Sequence, residues 1–506
     1  MAGQLQLTGN TLTRRAFEEV VLQNRRVTLH PRARRAMARS RALVEQLIAG
    51  KQVVYGVTTG FGALSTERIA PEQARALQLN LVRSHACGVG DPLGIAETRG
   101  ILLLRANALA KGLSGVRPEV VDRLCDFLNH GVHPIVPSRG SVGASGDLAP
   151  LAHVALALIG EGEVVFRGRM ISAARALQTI RRKPFELEAK EGLALVNGTQ
   201  AMLSLGLLAL RQAEQLAATA DVAGSLSLDA LRGSPAAFDE RLQQARPHPG
   251  QLRVARNLLR MNRGSTIRQS HFECPRVQDA YSLRCMPQVH GAVRDALGFA
   301  ARVFEIEMNS ATDNPLVFTS AGEVISGGNF HGQPLATALD LMAIALTQLG
   351  GISERRIDRI VNPLTSELPA FLTTAHGLES GCMMAQVAAA ALASENKILA
   401  HPASVDSIPT SGNKEDYVSM GMTAALKLRP ILANVTTILA IELMVASQAL
   451  DLLAPLRTGR LAEKARQMVR RASPRITSDR RLDRDIARLA GRVSAGDFSR
   501  ILESSR

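Results

Sequence analysis

Three consecutive residues, Ala144, Ser145 and Gly146, can do chemistry on their own backbone. Because glycine has no side chain, its amide nitrogen can approach the carbonyl carbon of Ala144 closely. Ring closure with loss of two waters would leave an electrophilic methylidene-imidazolone ring, a kind of carbon centre that ordinary side chains do not supply. An isolated Ala-Ser-Gly is more often a turn, and here Asp147 can equally cap the apolar run from Leu148 to Ile159. Further signatures must decide between the two interpretations.

Six more segments, spread along most of the chain, accompany the triplet. They are Tyr55 to Gly62, Ser84 to Gly90, Asn197 to Gln200, Gln278 to Cys285, Gly327 to His331, and Asn413 to Met420. With these segments in this order, nearly the whole chain resembles the aromatic amino acid ammonia-lyase family. The resemblance implies that Ala144, Ser145 and Gly146 form 4-methylidene-imidazole-5-one (MIO) autocatalytically, with no external cofactor.

An ammonia-lyase must make an amino group a better leaving group and remove a poorly acidic proton from the neighbouring carbon. The resemblance assigns the base to Tyr55, whose phenol has a reference pKa of about 10 and therefore needs a stabilised phenolate. The resemblance also implies that Tyr281 is a catalytic residue. Arg284 is the expected clamp for the substrate carboxylate, because its planar fork makes two parallel charge-assisted hydrogen bonds. A helical turn would bring Tyr281 and Arg284 to one side.

The other site residues implied by the resemblance bind or orient the substrate. Asn197 and Gln278 carry amide groups that orient the substrate and the electrophile, although either amide can also serve as a turn or helix cap. Phe330 matches an aromatic residue that packs near the electrophile. No metal ligand set is expected, since the histidines have no ligand-like partner at short spacing.

Two residues indicate which amino acid is the substrate. His85, after Ser84, resembles the pair in histidine-specific members, and the Glu415 carboxylate can accept a hydrogen bond from an imidazole N–H. The predicted reaction is the non-oxidative deamination of L-histidine to trans-urocanate and ammonia. Thr58 and Gly332 differ from the usual residues of histidine-specific members and resemble those of tyrosine-acting relatives. A tyrosine ammonia-lyase or an MIO-dependent 2,3-aminomutase therefore remains the alternative. A non-catalytic relative is a further one, although it would have no need of an electrophile precursor.

Helical periodicity dominates the elements that must position these residues. Leu335, Leu339, Met342, Leu346 and Leu349 recur at spacings of four and three, the pattern of one helix face. Long helices are also predicted over Thr199 to Leu226, Met383 to Leu399 and Met420 to Leu453, where Pro430 would kink or restart the last. The fold class is therefore mainly α.

The resemblance adds the architecture: a long-helix bundle of the ammonia-lyase/fumarase-like type, assembled as a homotetramer with shared active sites. The first part of the chain is mixed and loop-rich. We expect residues 1–198 to form an N-terminal domain carrying the Ala-Ser-Gly loop, and residues 199–506 to form the bundle and the C-terminal helices. The Arg-rich end from Arg457 to Arg506 predicts short surface helices.

Composition excludes several other classes of function. The net charge of +15 is spread along the chain without interleaved aromatics, which make up 3% of it, so no nucleic-acid partner is expected. Five cysteines without paired short spacing favour a reducing compartment. The segment Met1 to Arg15 lacks the apolar core of a secretory signal, and Gly381 to Ala393 predicts a buried helix, not a membrane span. We therefore expect a cytoplasmic protein.

Overall fold

The structure is a computed structural model that describes residues 3–50, 52, 56, 59–60, 67–271, 277–375 and 377–503. It is mostly helical with a few short strands, which confirms the mainly α prediction. The chain divides into two compact units. The first contains Met1–Leu208, Ala301–Asp340 and Pro402–Leu426, and the second contains Ala209–Ala300, Leu341–His401 and Lys427–Arg506. The domain boundary expected after residue 198 stays a prediction.

The first unit holds eight complete helices among its described residues. They are α1 (Arg14–Gln23), α2 (Pro31–Ala49), α3 (Ala74–His85), α4 (Ile95–Ala110), α5 (Pro118–His130), α6 (Leu148–Leu158), α7 (Ala173–Thr179) and α8 (Glu191–Val196). From Thr98 to Ala110 every residue of α4 is buried, so this helix lies inside the unit with polar side chains as well as apolar ones in its packed surface.

Short strands form small separate sheets in the same unit. They are β1 (Leu5–Leu7), β2 (Val27–Leu29), β3 (Val89–Pro92), β4 (Val132–Pro134), β5 (Pro137–Arg139), β6 (Glu163–Phe166), β7 (Arg169–Ser172), β8 (Leu316–Phe318) and β9 (Glu323–Ile325). The pair β1–β2 is parallel, with Leu5 opposite Val27, whereas β3–β5, β4–β6–β7 and β8–β9 are antiparallel. The Ala-Ser-Gly loop lies between β5 and α6.

The longest helices contribute residues to both units. They are α9 (Gln200–Ala230), α14 (Met286–Glu307), α15 (Gln333–Val361) and α18 (Gly421–Leu452). All five residues of the predicted apolar face of α15 are fully buried, which confirms the periodicity argument. Of the two effects expected at Pro430, a kink or a restart, the restart is wrong, because α18 continues through the proline. Packing of the buried residues on either side of the proline offsets the one backbone hydrogen bond that it cannot donate.

The second unit contains the remaining helices. They are α10 (Glu240–Gln244), α11 (Pro249–Met261), α12 (Thr266–Gln269), α13 (Tyr281–Arg284), α16 (Pro363–Ser366), α17 (Met383–Leu399), α19 (Arg460–Ala472), α20 (Asp483–Ser494) and α21 (Arg500–Glu503). The last three confirm the short helices predicted for the Arg-rich end. They are amphipathic, with buried residues such as Val469 and Leu489 on one side.

Helix α17 occupies the predicted range, but the prediction that this apolar segment is buried is wrong for the single chain. Only Ala385, Ala389 and Asn396 are buried, while Met384 is 62% exposed and Val387 46% exposed. The physical reason is that the apolar residues of α17 surround the whole helix, and the second unit covers only one of its sides.

Two helices are long and apolar enough to cross a membrane by length and composition, α15 and α18. Their most apolar windows are 61% and 83% buried within the protein. Core helices of water-soluble proteins pass the same test, so this property is weak evidence for a membrane span.

Candidate functional site

The Ala-Ser-Gly loop is pressed against the segment that begins at Asn197. Gly146 has a φ of +73°, and a Cβ added to it would lie 2.2 Å from the carbonyl oxygen of Gly198. The amide of Asp147 donates to that same oxygen at 2.7 Å. Only glycine therefore fits at position 146, both for its backbone conformation and for the space available.

Asp147 joins the loop to a different helix from the one expected. Its side chain makes no capping hydrogen bond to α6. Instead one carboxylate oxygen accepts from the amides of Ala201 and Met202, each at 2.9 Å, in the first turn of α9, and the other accepts from the Ser141 hydroxyl at 2.9 Å. Asp147 stands at the N-cap position of α6, where its carbonyl oxygen accepts from the Leu151 amide, but its carboxylate caps the start of α9 and not that of α6. Complete burial raises the pKa of Asp147 to about 6.

Backbone hydrogen bonds from the segments around residues 332 and 420 hold the other side of the loop. The amide of Met420 donates to Val142 O at 2.8 Å, and the hydroxyl of Ser419 donates to Gly143 O at 3.0 Å. The amide of Gly332 also donates to Gly143 O, at 3.2 Å. The loop is thereby fixed on both sides before any chemistry takes place.

Both polar ends of Ser145 are engaged by predicted site residues. Its hydroxyl donates to Glu415 Oε1 at 2.6 Å, and its carbonyl oxygen accepts from Asn197 Nδ2 at 2.8 Å. The hydroxyl of Thr410 donates to Glu415 Oε2 at 2.6 Å and fixes that carboxylate. Within the described part of the chain, the buried oxygen Oδ1 of Asn197 has no hydrogen-bond partner.

A cavity of about 540 Å³ opens in front of Ser145. Four further predicted site residues line it: His85, Asn197, Phe330 and Glu415. One face of α3 contributes Leu77, Asn80, Leu81 and Ser84 to the wall beside His85. Burial lowers the pKa of the His85 imidazole, which is therefore neutral at neutral pH and able to exchange one hydrogen bond as donor and one as acceptor.

Three predicted site residues, Gln278, Tyr281 and Arg284, lie in the second unit and do not line this cavity. Tyr281 begins α13 and is 71% exposed. The Arg284 guanidinium lies 4.7 Å from the Tyr281 ring centroid, so the two side chains share one side of the helical turn as predicted. Tyr55 and Thr58 lie outside the described residues.

Two residues at the site, Thr410 and Asn80, are not among those predicted from the sequence. Thr410 pairs with Glu415 through an isolated antiparallel bridge as well as through its side chain, a hairpin-like contact. The five-residue separation and the Ser411-Gly412-Asn413 turn between them are the signal that predicts such a contact. Asn80 precedes Ser84 by four residues, so helical spacing places it on the cavity face of α3 once His85 is assigned to the site.

The described residues contain no cluster of three or more His, Cys, Asp or Glu side chains able to hold a metal ion. The residues of the loop fit the self-made MIO ring. Position 146 admits only glycine, and the buried side-chain amide of Asn197 donates to the Ser145 carbonyl oxygen. The Ser145 hydroxyl donates to the Glu415 carboxylate. When formed, such a ring supplies a carbon electrophile that activates an amino group as a leaving group.

An Ala-Ser-Gly loop at a cavity lined by carboxylate, imidazole and amide side chains fits the chemistry of a lyase. Residues 12–471 match the model of the family described as aromatic amino acid lyase. The chain is 59% identical to a histidine ammonia-lyase of Koribacter versatilis over 98% of each chain. The chain therefore belongs to the aromatic amino acid lyase family and is a carbon–nitrogen lyase.

Solved structures agree with this assignment. The histidine ammonia-lyase of Trypanosoma cruzi superposes with a TM-score of 0.91 at 41% identity, covering 99% of this chain and 95% of that one. The tyrosine aminomutase of Streptomyces globisporus superposes with a TM-score of 0.94 at 40% identity, covering 99% and 98%. The fold is thus shared by relatives that act on different substrates, and the side chains of the site must distinguish them.

Proposed function

We propose that this protein is a histidine ammonia-lyase that converts L-histidine to trans-urocanate and ammonia. The observation that carries the proposal is that Glu415 and His85 both line the cavity that Ser145 faces. A carboxylate accepts a hydrogen bond from an imidazole N–H or pairs with imidazolium, whereas burying it beside an unsubstituted phenyl ring is costly. The full-length relative at 59% identity bears this name, which supports the same substrate.

In this proposal MIO forms from Ala144, Ser145 and Gly146 and supplies the carbon electrophile. Asn197 donates to the Ser145 carbonyl oxygen and so stabilises charge that develops there. Tyr55 removes the proton from the carbon next to the amino-bearing one. Phe330 lines the cavity and helps to exclude water from it.

The remaining assigned groups bind the amino acid substrate but lie outside the first unit, which contains the cavity in front of Ser145. Arg284 binds the substrate carboxylate, Gln278 orients the substrate, and Tyr281 is a further catalytic residue. All three belong to the second unit, and Tyr281 is largely exposed in one chain. We propose that the protein is a homotetramer in which a neighbouring copy supplies them.

Exposed apolar side chains support an assembly between copies. Leu364 is 91% exposed, Leu378 87% and Ile398 75%, in addition to Met384 on α17. Such surface in a water-soluble enzyme is ordinarily covered by a partner. We place the enzyme in the cytoplasm, where disulfides are rare; Cys87, Cys125, Cys285 and Cys382 are all free among the described residues.

The first test is incubation of the purified protein with L-histidine, L-tyrosine or L-phenylalanine, recording the ultraviolet absorbance of the unsaturated acid together with released ammonia. Urocanate and ammonia from histidine alone are the expected result. If protein that has lost the mass of two waters turns over none of these amino acids, the proposed substrate is contradicted but the proposed cofactor is not.

Ser145→Ala tests the cofactor. The variant cannot lose the hydroxyl, so we expect an intact mass equal to that of the encoded chain and activity lower by roughly a thousandfold or more. Ser172→Ala, at the exposed N-cap of α7 and not in the lining of the cavity, is the matched control and should keep full activity. Full activity in Ser145→Ala with a normal circular dichroism spectrum would refute the electrophile.

A tyrosine 2,3-aminomutase is the second candidate, favoured by the superposition on the Streptomyces globisporus enzyme and by Gly332 beside the loop. An aminomutase holds the released ammonia and adds it back to the neighbouring carbon. A β-amino acid formed from tyrosine with little free ammonia, detected by chromatography of the reaction mixture, would move the assignment to this candidate.

A further inference from the structure

Arg105 is a fully buried arginine directly behind the Asn197 segment, and the mechanism above does not use it. It belongs to α4 and has no exposed surface. Its Nη1 donates to the carbonyl oxygen of Asn197 at 2.9 Å and to Gln200 Oε1 at 2.8 Å. Gln200 is itself held by a hydrogen bond from its Nε2 to the Thr312 hydroxyl at 2.8 Å.

The rest of the Arg105 guanidinium is poorly satisfied. Within the described residues, Nε and Nη2 have no hydrogen-bond partner and the side chain makes no ion pair. A nearby carboxylate, Asp313, is already bonded to Lys190 at 2.8 Å. Burying a cation with unpaired donors is unfavourable for stability, so stability alone does not account for an arginine at this position.

The guanidinium sits tightly against the backbone that supports the Ala-Ser-Gly loop. A Cβ added to Gly198 would lie 2.2 Å from Arg105 Nη1 and 2.4 Å from Gln200 Oε1. The carbonyl oxygen on the same glycine accepts from the Asp147 amide, and Gly198 forms a parallel bridge with Gly146. Arg105, the segment from Asn197 to Gly198, and the ring-forming residues are therefore in continuous contact.

We propose that Arg105 is a positioning residue for formation of the electrophile, a role that rests on the proposed function. By holding the Asn197 carbonyl, Arg105 keeps the Asn197 side-chain amide on the Ser145 carbonyl oxygen. Its buried charge also adds a positive field behind that hydrogen bond, where water cannot screen it.

Ring formation gives this hydrogen bond a specific task. The Gly146 nitrogen bonds to the Ala144 carbonyl carbon, and that oxygen leaves as water with the amide protons of Gly146 and Ser145. The second water takes the Ser145 hydroxyl and the hydrogen on Ser145 Cα, leaving the exocyclic double bond. Loss of the Cα proton places negative charge on the adjacent Ser145 carbonyl oxygen, which is the atom that Asn197 Nδ2 contacts.

The test compares Arg105→Met and Arg105→Gln with Arg99→Met. Arg99 is another buried arginine of α4, but it donates to the carbonyl oxygens of Val20, Val21 and Leu128, away from the loop. For each full-length variant, the fraction of chains lacking two waters is measured by intact mass spectrometry, together with circular dichroism, melting temperature and kcat for histidine.

Folded Arg105 variants are expected to contain a resolved fraction of unprocessed chains and to have kcat lowered by about tenfold or more. Arg99→Met is expected to melt at a lower temperature yet remain fully processed, which separates positioning from stability. Full processing and wild-type kcat in either folded Arg105 variant would overturn the inference. The same would follow from equal loss of processing in Arg99→Met. Wild-type protein without the two-water loss would instead refute the cofactor in the proposed function.

Discussion

Ser145 and Glu415 are 270 positions apart, yet the hydroxyl of the first donates to the carboxylate of the second. In the encoded chain, the carboxylate thus contacts the hydroxyl that the proposed ring formation would remove. If the ring forms as proposed, the same carboxylate oxygen would face the cavity with an unused acceptor position. In the proposed enzyme, Glu415 would therefore lie beside both the precursor loop and the amino acid substrate.

Glu415→Gln tests whether this one carboxylate determines the choice between histidine and tyrosine. A glutamine cannot pair with imidazolium and presents one acceptor oxygen where the carboxylate presents two, so we expect kcat/KM for histidine to fall by roughly tenfold to a hundredfold. Any turnover of tyrosine should fall less. Steady-state kinetics with both amino acids provide the measurement.

The neighbouring Asp416→Asn removes a carboxylate from an exposed position that does not line the cavity and should leave both rates unchanged. An equal loss for histidine and tyrosine in Glu415→Gln, with normal ring content, would mean that Glu415 acts on the common part of the substrate and not on its ring.

Among the elements, the start of α9 depends on Asp147. Its carboxylate accepts two amide hydrogen bonds from the first turn of that helix, where the helix dipole also favours negative charge. Burial nevertheless raises the pKa of Asp147 to about 6, because the charged form loses more solvation than these bonds return.

The raised pKa fixes the sign of a pH effect on stability. The contribution of a carboxyl whose pKa is higher in the folded state is fully present below its unfolded pKa, near 4, and is lost as the pH rises through about 6. Between pH 4 and pH 7 this group should therefore lower the free energy of unfolding by about 3 kcal/mol.

Asp147→Asn removes the titration while keeping an oxygen for the two amides. We expect the free energy of unfolding of the variant to decline less than that of the wild type between pH 4 and pH 7. Urea unfolding at several pH values, followed by circular dichroism, measures the difference. Parallel pH profiles for the two proteins would show that Asp147 does not titrate in this window.

Helix α17 offers a test of assembly at the level of an element. Met384 lies on its exposed side, so Met384→Glu costs little in the isolated chain but introduces a charge into any interface that covers this helix. We expect a smaller assembly by light scattering and a loss of activity of at least about tenfold. Met170→Glu, the same change at an exposed position of β7 in the first unit, is the control.

An unchanged molar mass in Met384→Glu would show that α17 is not covered by another copy. Its apolar, exposed side would then require a different partner.

For the whole molecule, the division of the site residues between two units leads to a complementation experiment. Ser145→Ala lacks the electrophile and Arg284→Met lacks the carboxylate clamp, so each should be inactive alone. If neighbouring copies share sites, a co-expressed mixture contains some sites with an intact Ser145 from one chain and an intact Arg284 from another.

We expect the co-expressed mixture to recover a measurable part of the wild-type activity, assayed as urocanate formation. Mixing the two purified variants without exchange of subunits is the control and should remain inactive. A co-expressed mixture as inactive as its components, despite mixed assemblies detected by native mass spectrometry, would place each complete site within one chain.

Local patterns accounted for much of the architecture. The spacing of Leu335, Leu339 and Met342 predicted a helix that the structure contains, because a helical face is determined by residues three and four apart. The prediction failed where a local rule met distant packing. Pro430 does not restart its helix, and the Asp147 carboxylate bonds the first turn of α9 although Asp147 stands at the N-cap position of α6.

The sequence by itself determined the chemistry that is available, since only glycine at position 146 and a hydroxyl at position 145 permit the ring. It also determined the family and the course of the long helices. Tertiary structure alone decided which groups meet these residues: Glu415 on the Ser145 hydroxyl, Asn197 on its carbonyl, and Arg105 behind Asn197. The physical reason is that residue type and short-range periodicity act along the chain, whereas hydrogen bonds between distant segments depend on how complete elements pack.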